Sequence, residues 1–330
     1  MPFGLSCGFR FAAAMTVLAV GVAAPAGAQA QAYPTKPVRL LVGFPAGGST
    51  DLLARTLAPK LAQALGQPVI IENRPGAGGN IAGEATAKSA PDGYTLFMTT
   101  VASHAINPHL YSKMPYDAVK DFTPVTLAAS YPLLLVAYPG SGAHSVAALL
   151  QLAKAKPGAV FFSSSGNGSP GHLAGELFRS MGGVNIVHVP YKGGAPSTKA
   201  VLAGEAQISF QTMPAVLPHV KAGKLLGVAV TTAQRSPAAP EIPTISESGL
   251  AGYHVSSWAG VVGSAGLPRP IVLRLQSELA KVLHSPEVKE RLAAEGASPI
   301  ANQPEQFAAF IVEELAKWGK TARDANAKIE

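Results

Sequence analysis

Three glycine-rich turns are the places where this chain could do chemistry on a small molecule. The first lies in LLVGFPAGGSTDLLARTLAPKL, residues 40–61. The apolar run ending at Phe44 predicts a buried strand, Pro45-Ala46-Gly47-Gly48 a tight turn, and Ser49-Thr50-Asp51 a helix start. Such a junction leaves backbone N–H groups facing outward, and the helix dipole favours an anion in front of them. Capping of the helix by Thr50 and Asp51 is the competing, purely structural reading. The second turn, in VFFSSSGNGSPGHLAGELFRSM (160–181), repeats the device without repeating the sequence. Two such loops, one in each half of the chain, could face each other across a cleft. There they would hold a small anion through backbone N–H groups and Ser/Thr hydroxyls. The second loop therefore favours the ligand reading of the first.

The chemistry that is missing narrows the field. Neither loop carries the lysine of a phosphate-binding P-loop. The third turn, RPGAGGNIAGE (74–84), misses the dinucleotide pattern because Ile81 stands where its last glycine belongs, and Asp92 comes early for a ribose-binding acid. A serine nucleophile elbow around Ser169 is also a near miss: Gly171 fits, but Asn167 occupies the first glycine position. His172 follows three residues later with no acid to orient it. The eight histidines form no zinc-binding spacing, and His188 reads as a half-buried strand residue. No two carboxylates stand out as an acid–base pair. Neither a cofactor nor a metal is expected, and the chain does not read as an enzyme.

The elements that must position these loops follow from periodicity. A chain of 330 residues, 48% hydrophobic and 14% charged, has room for two globular domains. Arg10, the apolar run 11–24 and the small residues of APAGAQAQA predict a secretory signal peptide over residues 1–30. Cleavage is expected after Ala30, with Ala28 and Ala32 as alternatives. The lone Cys7 falls inside that segment, leaving no disulfide or thiol chemistry in the exported chain. Arg10 accounts for one of the seven net positive charges, and the remaining +6 is dispersed, with no basic face for nucleic acid. Strands at 38–44, 69–72 and 94–99 alternate with helices at 52–65 and 80–88. A strand at 132–139, bounded by prolines, precedes a second alternation: strands at 159–163, 186–191, 206–212, 225–231 and 255–262, with helices between them. The end is helical, at 270–283 and 304–322, with Trp318 on a core-facing stripe.

Over essentially its whole exported length the sequence resembles the Bug family of periplasmic receptors, the solute-binding components of tripartite tricarboxylate transporters. The resemblance is carried by YPTKPVRLLVGFPAGGSTD, QPVIIENRPGAGGNIAGEATAKSAPDGYTLFMTT, SSSGNGSPGHLAGELF, VHVPYKGGAPS and LPHVKAGKLLGVAVTTAQRSP. It implies an α/β, two-lobed periplasmic-binding-protein fold of the Venus-flytrap, type II kind, each lobe a sheet flanked by helices with the ligand in the interlobe cleft. With the proline-bounded crossovers, it suggests lobe 1 from 33–131 and 253–330 and lobe 2 from 132–252. It also implies that Phe44, Ala46, Gly47, Gly48, Thr50 and Asp51, facing Ser163, Ser165, Gly166, Asn167, Gly168 and Ser169, hold one carboxylate, partly through water. Asp51 is expected to stabilise the helix start without touching the anion, since two carboxylates would repel. Thr100, Ser103 and His104 would lie toward the distal end of the ligand.

Two residues depart from the family pattern. Ser49 stands where a third glycine is common, and Gln211 where many relatives have aspartate. Gln211 either touches the ligand or is merely a polar residue closing a strand. The leading expectation is a monomeric periplasmic receptor that delivers a small organic acid to membrane permease subunits. A sensor feeding a signalling partner is a second possibility, and an exported hydrolase using Ser169 or Ser165 a third.

Overall fold

The computed structural model describes Gly4 and residues 33–324. Apart from that glycine, the expected signal peptide lies outside the described residues. The apolar run after Pro37 forms β1 (Val38–Val42), hydrogen-bonded in parallel to β2 (Val69–Asn73) and β3 (Thr95–Thr100). The crossovers are α1 (Ser49–Leu65) and α2 (Asn80–Ala87). Leu53, Leu57 and Leu61 of α1 pack in one cluster with Val38, Leu40 and Val42, and with Leu275 and Leu279 of α8 (Arg269–Leu283). Each leucine buried this way contributes about 1.5–3 kcal/mol.

After β3 the chain does not run straight on. A five-residue π-helical turn, Ala102–Ile106, leads into the short α3 (Asn107–Leu110). Next comes β4 (Phe122–Ala137), whose 16 residues end with positions 132–137 of the strand expected at 132–139. Pro132 therefore does not begin a strand. It sits where β4 changes partners, and a missing N–H disturbs the ladder least at such a point. Up to Pro132, β4 pairs antiparallel with β9 (Ser256–Ser264). From Leu133 it pairs with β7 (Ile208–Thr212), and from Leu134 with β8 (Leu226–Val230).

One strand thus belongs to two sheets. The first runs β2-β1-β3-β9-β4, with β10 (Ser298–Pro299) against β4. In the second, β8 and β7 flank the far half of β4, and β7 leads on to β5 (Val160–Ser164) and β6 (Ile186–Pro190). Its helices are α4 (Val146–Ala155), α5 (Pro170–Gly182), α6 (Gly194–Leu202) and α7 (Met213–Lys221). Thr231 binds the outgoing chain to the returning one: its hydroxyl accepts from Leu133 N–H (3.0 Å) and lies 2.7 Å from the Val255 carbonyl.

The returning chain packs α8, α9 (Pro286–Ala294) and α10 (Pro304–Asp324) around the first sheet. Trp318 is buried, as its helical position predicts, and its indole N–H shares the Glu314 carboxylate with that of Trp258 (2.8 and 2.9 Å). Among the described residues no helix is long and apolar enough to cross a membrane.

Candidate functional site

A cavity of about 60 Å³ lies where the two sheets meet, at the carboxyl ends of β1, β3, β5 and β7. Gly48, Ser49 and Thr50 at the start of α1 form one wall, and Pro170 and Gly171 at the start of α5 another. Gly194, from the first turn of α6, and Thr212, which precedes α7, complete a ring of helix N-termini. Among the described residues no charged side chain lines this cavity. The positive ends of the helix dipoles therefore meet in a space that holds no countercharge.

The first loop is fixed from behind. Gly47 has φ +83°, a conformation only glycine adopts freely, whereas Gly48 has an ordinary φ of −82° and forms the cavity wall. Asp51 is buried but points away, accepting from Gly47 N–H, Arg55 Nε and Asn73 Nδ2, each at 2.9 Å. Burial alone would raise its pKa. The hydrogen bonds from Arg55, Gly47 and Asn73 outweigh that effect and hold the carboxyl below its usual range.

The second loop is fixed by imidazoles. Gly168 N–H donates to His172 Nδ1 (3.2 Å), and Ser169 caps α5 by accepting the His172 N–H (3.2 Å). His172 stacks on His188 with ring centroids 4.1 Å apart, and His188 Nε2 lies 2.6 Å from Ser164 Oγ. Burial, then the neighbouring Arg179, lowers the His172 pKa to about 4; burial, then His172, lowers that of His188 to about 3. Neither Ser169 nor Ser165 bonds a histidine side chain among the described residues.

Among the described residues two buried hydroxyls on the cavity wall have no hydrogen-bond partner: Thr100 Oγ1 and Tyr131 OH. The Thr50 side chain adjoins Tyr131 without completing a hydrogen bond. Burial pushes the Tyr131 phenol pKa upward, so it remains a donor at neutral pH. Ser49 Oγ and Thr212 Oγ1 bond directly to each other, linking the start of α1 to the start of α7.

Of the residues singled out by sequence, Phe44, Gly48, Thr50, Thr100, Ser165 and Gln211 come together around this cavity. Gly166 and Asn167 line an adjoining cavity of about 650 Å³, which shares Phe44 and Ser165 with the first and has Lys192 in its wall. Ala46, Gly47, Asp51, Gly168 and Ser169 shape the loops without lining either space. Ser163 is turned inward against Ser209 and Ser197.

Ser103 and His104 also stay out of the lining. The turn after Thr100 folds them under β3, where Ser103 Oγ bonds Thr99 Oγ1 (2.9 Å) and His104 Nδ1 bonds the same hydroxyl (2.6 Å). Burial depresses the His104 pKa to about 3. Tyr131, Ser257 and Thr212 escaped the sequence reading because strand pairing across long separations brings them in. Only Tyr131, a polar aromatic between two apolar segments, left a local trace.

Two helix-flanked sheets that share β4, with helix N-termini gathered around the cavity where they meet, match the two-lobed periplasmic-binding-protein fold of solved relatives. The chain belongs to the tripartite tricarboxylate transporter family of receptors, whose sequence profile matches residues 53–326. It is 38% identical to protein BugT of Bordetella pertussis over 315 residues, covering 95% of this chain and 96% of BugT. The R. palustris protein Rpa4515, solved with adipate, is 40% identical with a TM-score of 0.88, over 90% of this chain and all of that one. MatC from Rhodopseudomonas palustris, solved with bound malate, is 30% identical with a TM-score of 0.83, over 88% of this chain and 99% of MatC.

Proposed function

We propose that this chain is a periplasmic receptor that binds a small organic acid by one carboxylate and delivers it to the membrane subunits of a tripartite transporter, without catalysing a reaction. The observation that carries this reading is the cavity itself. Among the described residues it has helix N-termini around it, unpartnered Thr100 and Tyr131 hydroxyls in its wall, and no charged side chain. Such a site neutralises a carboxylate with N–H and O–H donors and needs no bulky cation. Relatives solved with adipate and malate agree with that chemistry.

In this reading residues 33–131 and 253–330 form one lobe and 132–252 the other, hinged where β4 changes partners and where Thr231 meets Val255. Ligand favours the closed form because only there do both loops reach it. The direct test is thermal unfolding with a panel of organic acids, adipate and malate first, followed by calorimetry on those that stabilise. A true ligand raises the melting temperature in step with RT ln(1 + [L]/Kd). A panel that leaves the melting temperature unmoved, or ester hydrolysis that disappears in Ser165→Ala, would overturn the proposal.

A further inference from the structure

The geometry points to Gln211 as the residue that selects a hydroxyl on the ligand, so that the favoured acids are hydroxy acids bearing the hydroxyl close to the bound carboxylate. This rests on the carboxylate-receptor reading above. It begins with three buried serines whose protons are all committed. Ser197 Oγ donates to Ser163 Oγ (2.8 Å), Ser163 Oγ donates to Ser209 Oγ (2.9 Å), and Ser209 Oγ donates to the Ser163 carbonyl (2.7 Å).

A serine hydroxyl has one proton, and a carbonyl can only accept. Ser197 and Ser209 therefore have nothing left to donate toward Gln211. Their contacts with it, at 2.6 and 3.2 Å, must both be donated by Gln211 Nε2. The relay thus fixes the amide orientation and uses both amide protons. Gln211 is only 4% exposed, and among the described residues no donor reaches its Oε1. That oxygen lies beside Gly194 on the cavity wall, where a Cβ on the glycine would be 3.5 Å away.

Gln211 Oε1 is consequently an acceptor that cannot donate, among wall hydroxyls that can do either. A second carboxylate has no proton to offer this acceptor. An ammonium would face the positive ends of the surrounding helices without a compensating charge. A hydroxyl donates to Oε1 and stays neutral. The cavity's small size keeps that hydroxyl within a bond or two of the carboxylate.

The test is calorimetric, with acids paired so that only the hydroxyl differs: malate against succinate, lactate against propionate, 3-hydroxybutyrate against butyrate. In the wild type, the hydroxy member of at least one pair should bind about fivefold tighter or more, the worth of one hydrogen bond. In Gln211→Met, which keeps the volume and removes the acceptor, that ratio should fall to about one. Ser209→Ala frees the amide to turn, and should narrow the ratio with Gln211 still present. Equal affinities within every pair in the wild type would overturn this inference alone, as would a preference that survives in a folded Gln211→Met. Failure of all six acids to bind a wild type that does bind adipate would overturn this inference alone, and failure of adipate as well would overturn the receptor reading with it.

Discussion

The β1–α1 and β5–α5 loops have the same outline and opposite internal chemistry. Both end a buried strand in a glycine turn and open a helix toward the same cavity. The first is held by an ionised carboxylate, Asp51, which gathers donors from Gly47, Arg55 and Asn73. The second is held by uncharged groups: His172 accepts from Gly168, His188 bonds Ser164, and Ser169 caps the helix. Backbone geometry facing the cavity can therefore be reached by two supports, and these should fail under different perturbations.

The largest expected effect comes from removing the charged support. Asp51→Ala deletes hydrogen bonds made to an ion and strands the Gly47 N–H and Asn73 amide that served it. Such bonds are each worth about 1.5–3 kcal/mol, and half-exposed Arg55 can turn to water, so a net loss of about 3 kcal/mol is expected. His172→Leu, which roughly keeps the ring's volume, removes one neutral hydrogen bond to the second loop and should cost nearer to 1 kcal/mol. Urea unfolding of both variants measures the difference. Equal costs would mean that the two supports are not distinct in strength.

Gly48→Val comes next and acts on binding. Its φ of −82° suits valine, so the fold should persist, but the side chain enters the cavity. Affinity for any acid that stabilises the wild type should fall about tenfold or more, the scale of one lost hydrogen bond to a charged group. Trp318→Phe, a core residue that does not line the cavity, should leave affinity unchanged. Should Gly48→Val bind as tightly as the wild type, the anion lies elsewhere.

Ser165→Ala tests the facing loop and should have a somewhat smaller effect, up to about tenfold, because only one hydroxyl is lost. Ser165 lines both cavities, so calorimetry with a short and a long acid sharpens the comparison. A similar loss for both acids places Ser165 at the carboxylate, and a loss confined to the long acid places it at the wider cavity.

These loops were legible in the sequence because their signals are local: a strand of apolar residues, glycines that permit a turn, and a capping residue. The strand and helix order was legible for the same reason. What remained hidden depends on distant pairing. Tyr131 and Ser257 sit opposite each other only because β4 and β9 adopt one register, and Thr212 enters because β7 pairs with the far half of β4. The family resemblance implies a place for Ser103 and His104 toward the distal end of a ligand, and nothing local in the sequence shows how the chain turns beyond Thr100. The π-helical turn at Ala102–Ile106 instead folds both beneath the strand. The β4 strand was misread at Pro132 because proline usually bounds a strand, and nothing local reveals that two sheets share it there.

Acid offers the gentlest way to separate the two supports. His172 and His188 have folded-state pKa values near 4 and 3, below the 6.5 of an unfolded histidine. The unfolded chain therefore binds more protons between these values, and stability falls as pH drops from 6.5 toward 4. Each such group contributes at most about 1.4 kcal/mol per pH unit. Asp51 behaves differently in that window. Its pKa lies below the ordinary 3.8, so its contribution is complete above 3.8 and is lost only as pH falls further. Urea unfolding of the wild type at pH 7, 5.5 and 4 should thus show a decline, part of it from His104, whose pKa is also near 3, and part from His254, whose pKa burial lowers as well. Replacing His172 and His188 together with glutamine should flatten the slope while leaving the His104 and His254 shares. Asp51→Asn, which keeps the shape of the first support, should lower stability at pH 7 with the slope above pH 4 unchanged. If the double variant loses stability with acid as steeply as the wild type, the stacked imidazoles do not hold the second loop in the way their geometry indicates.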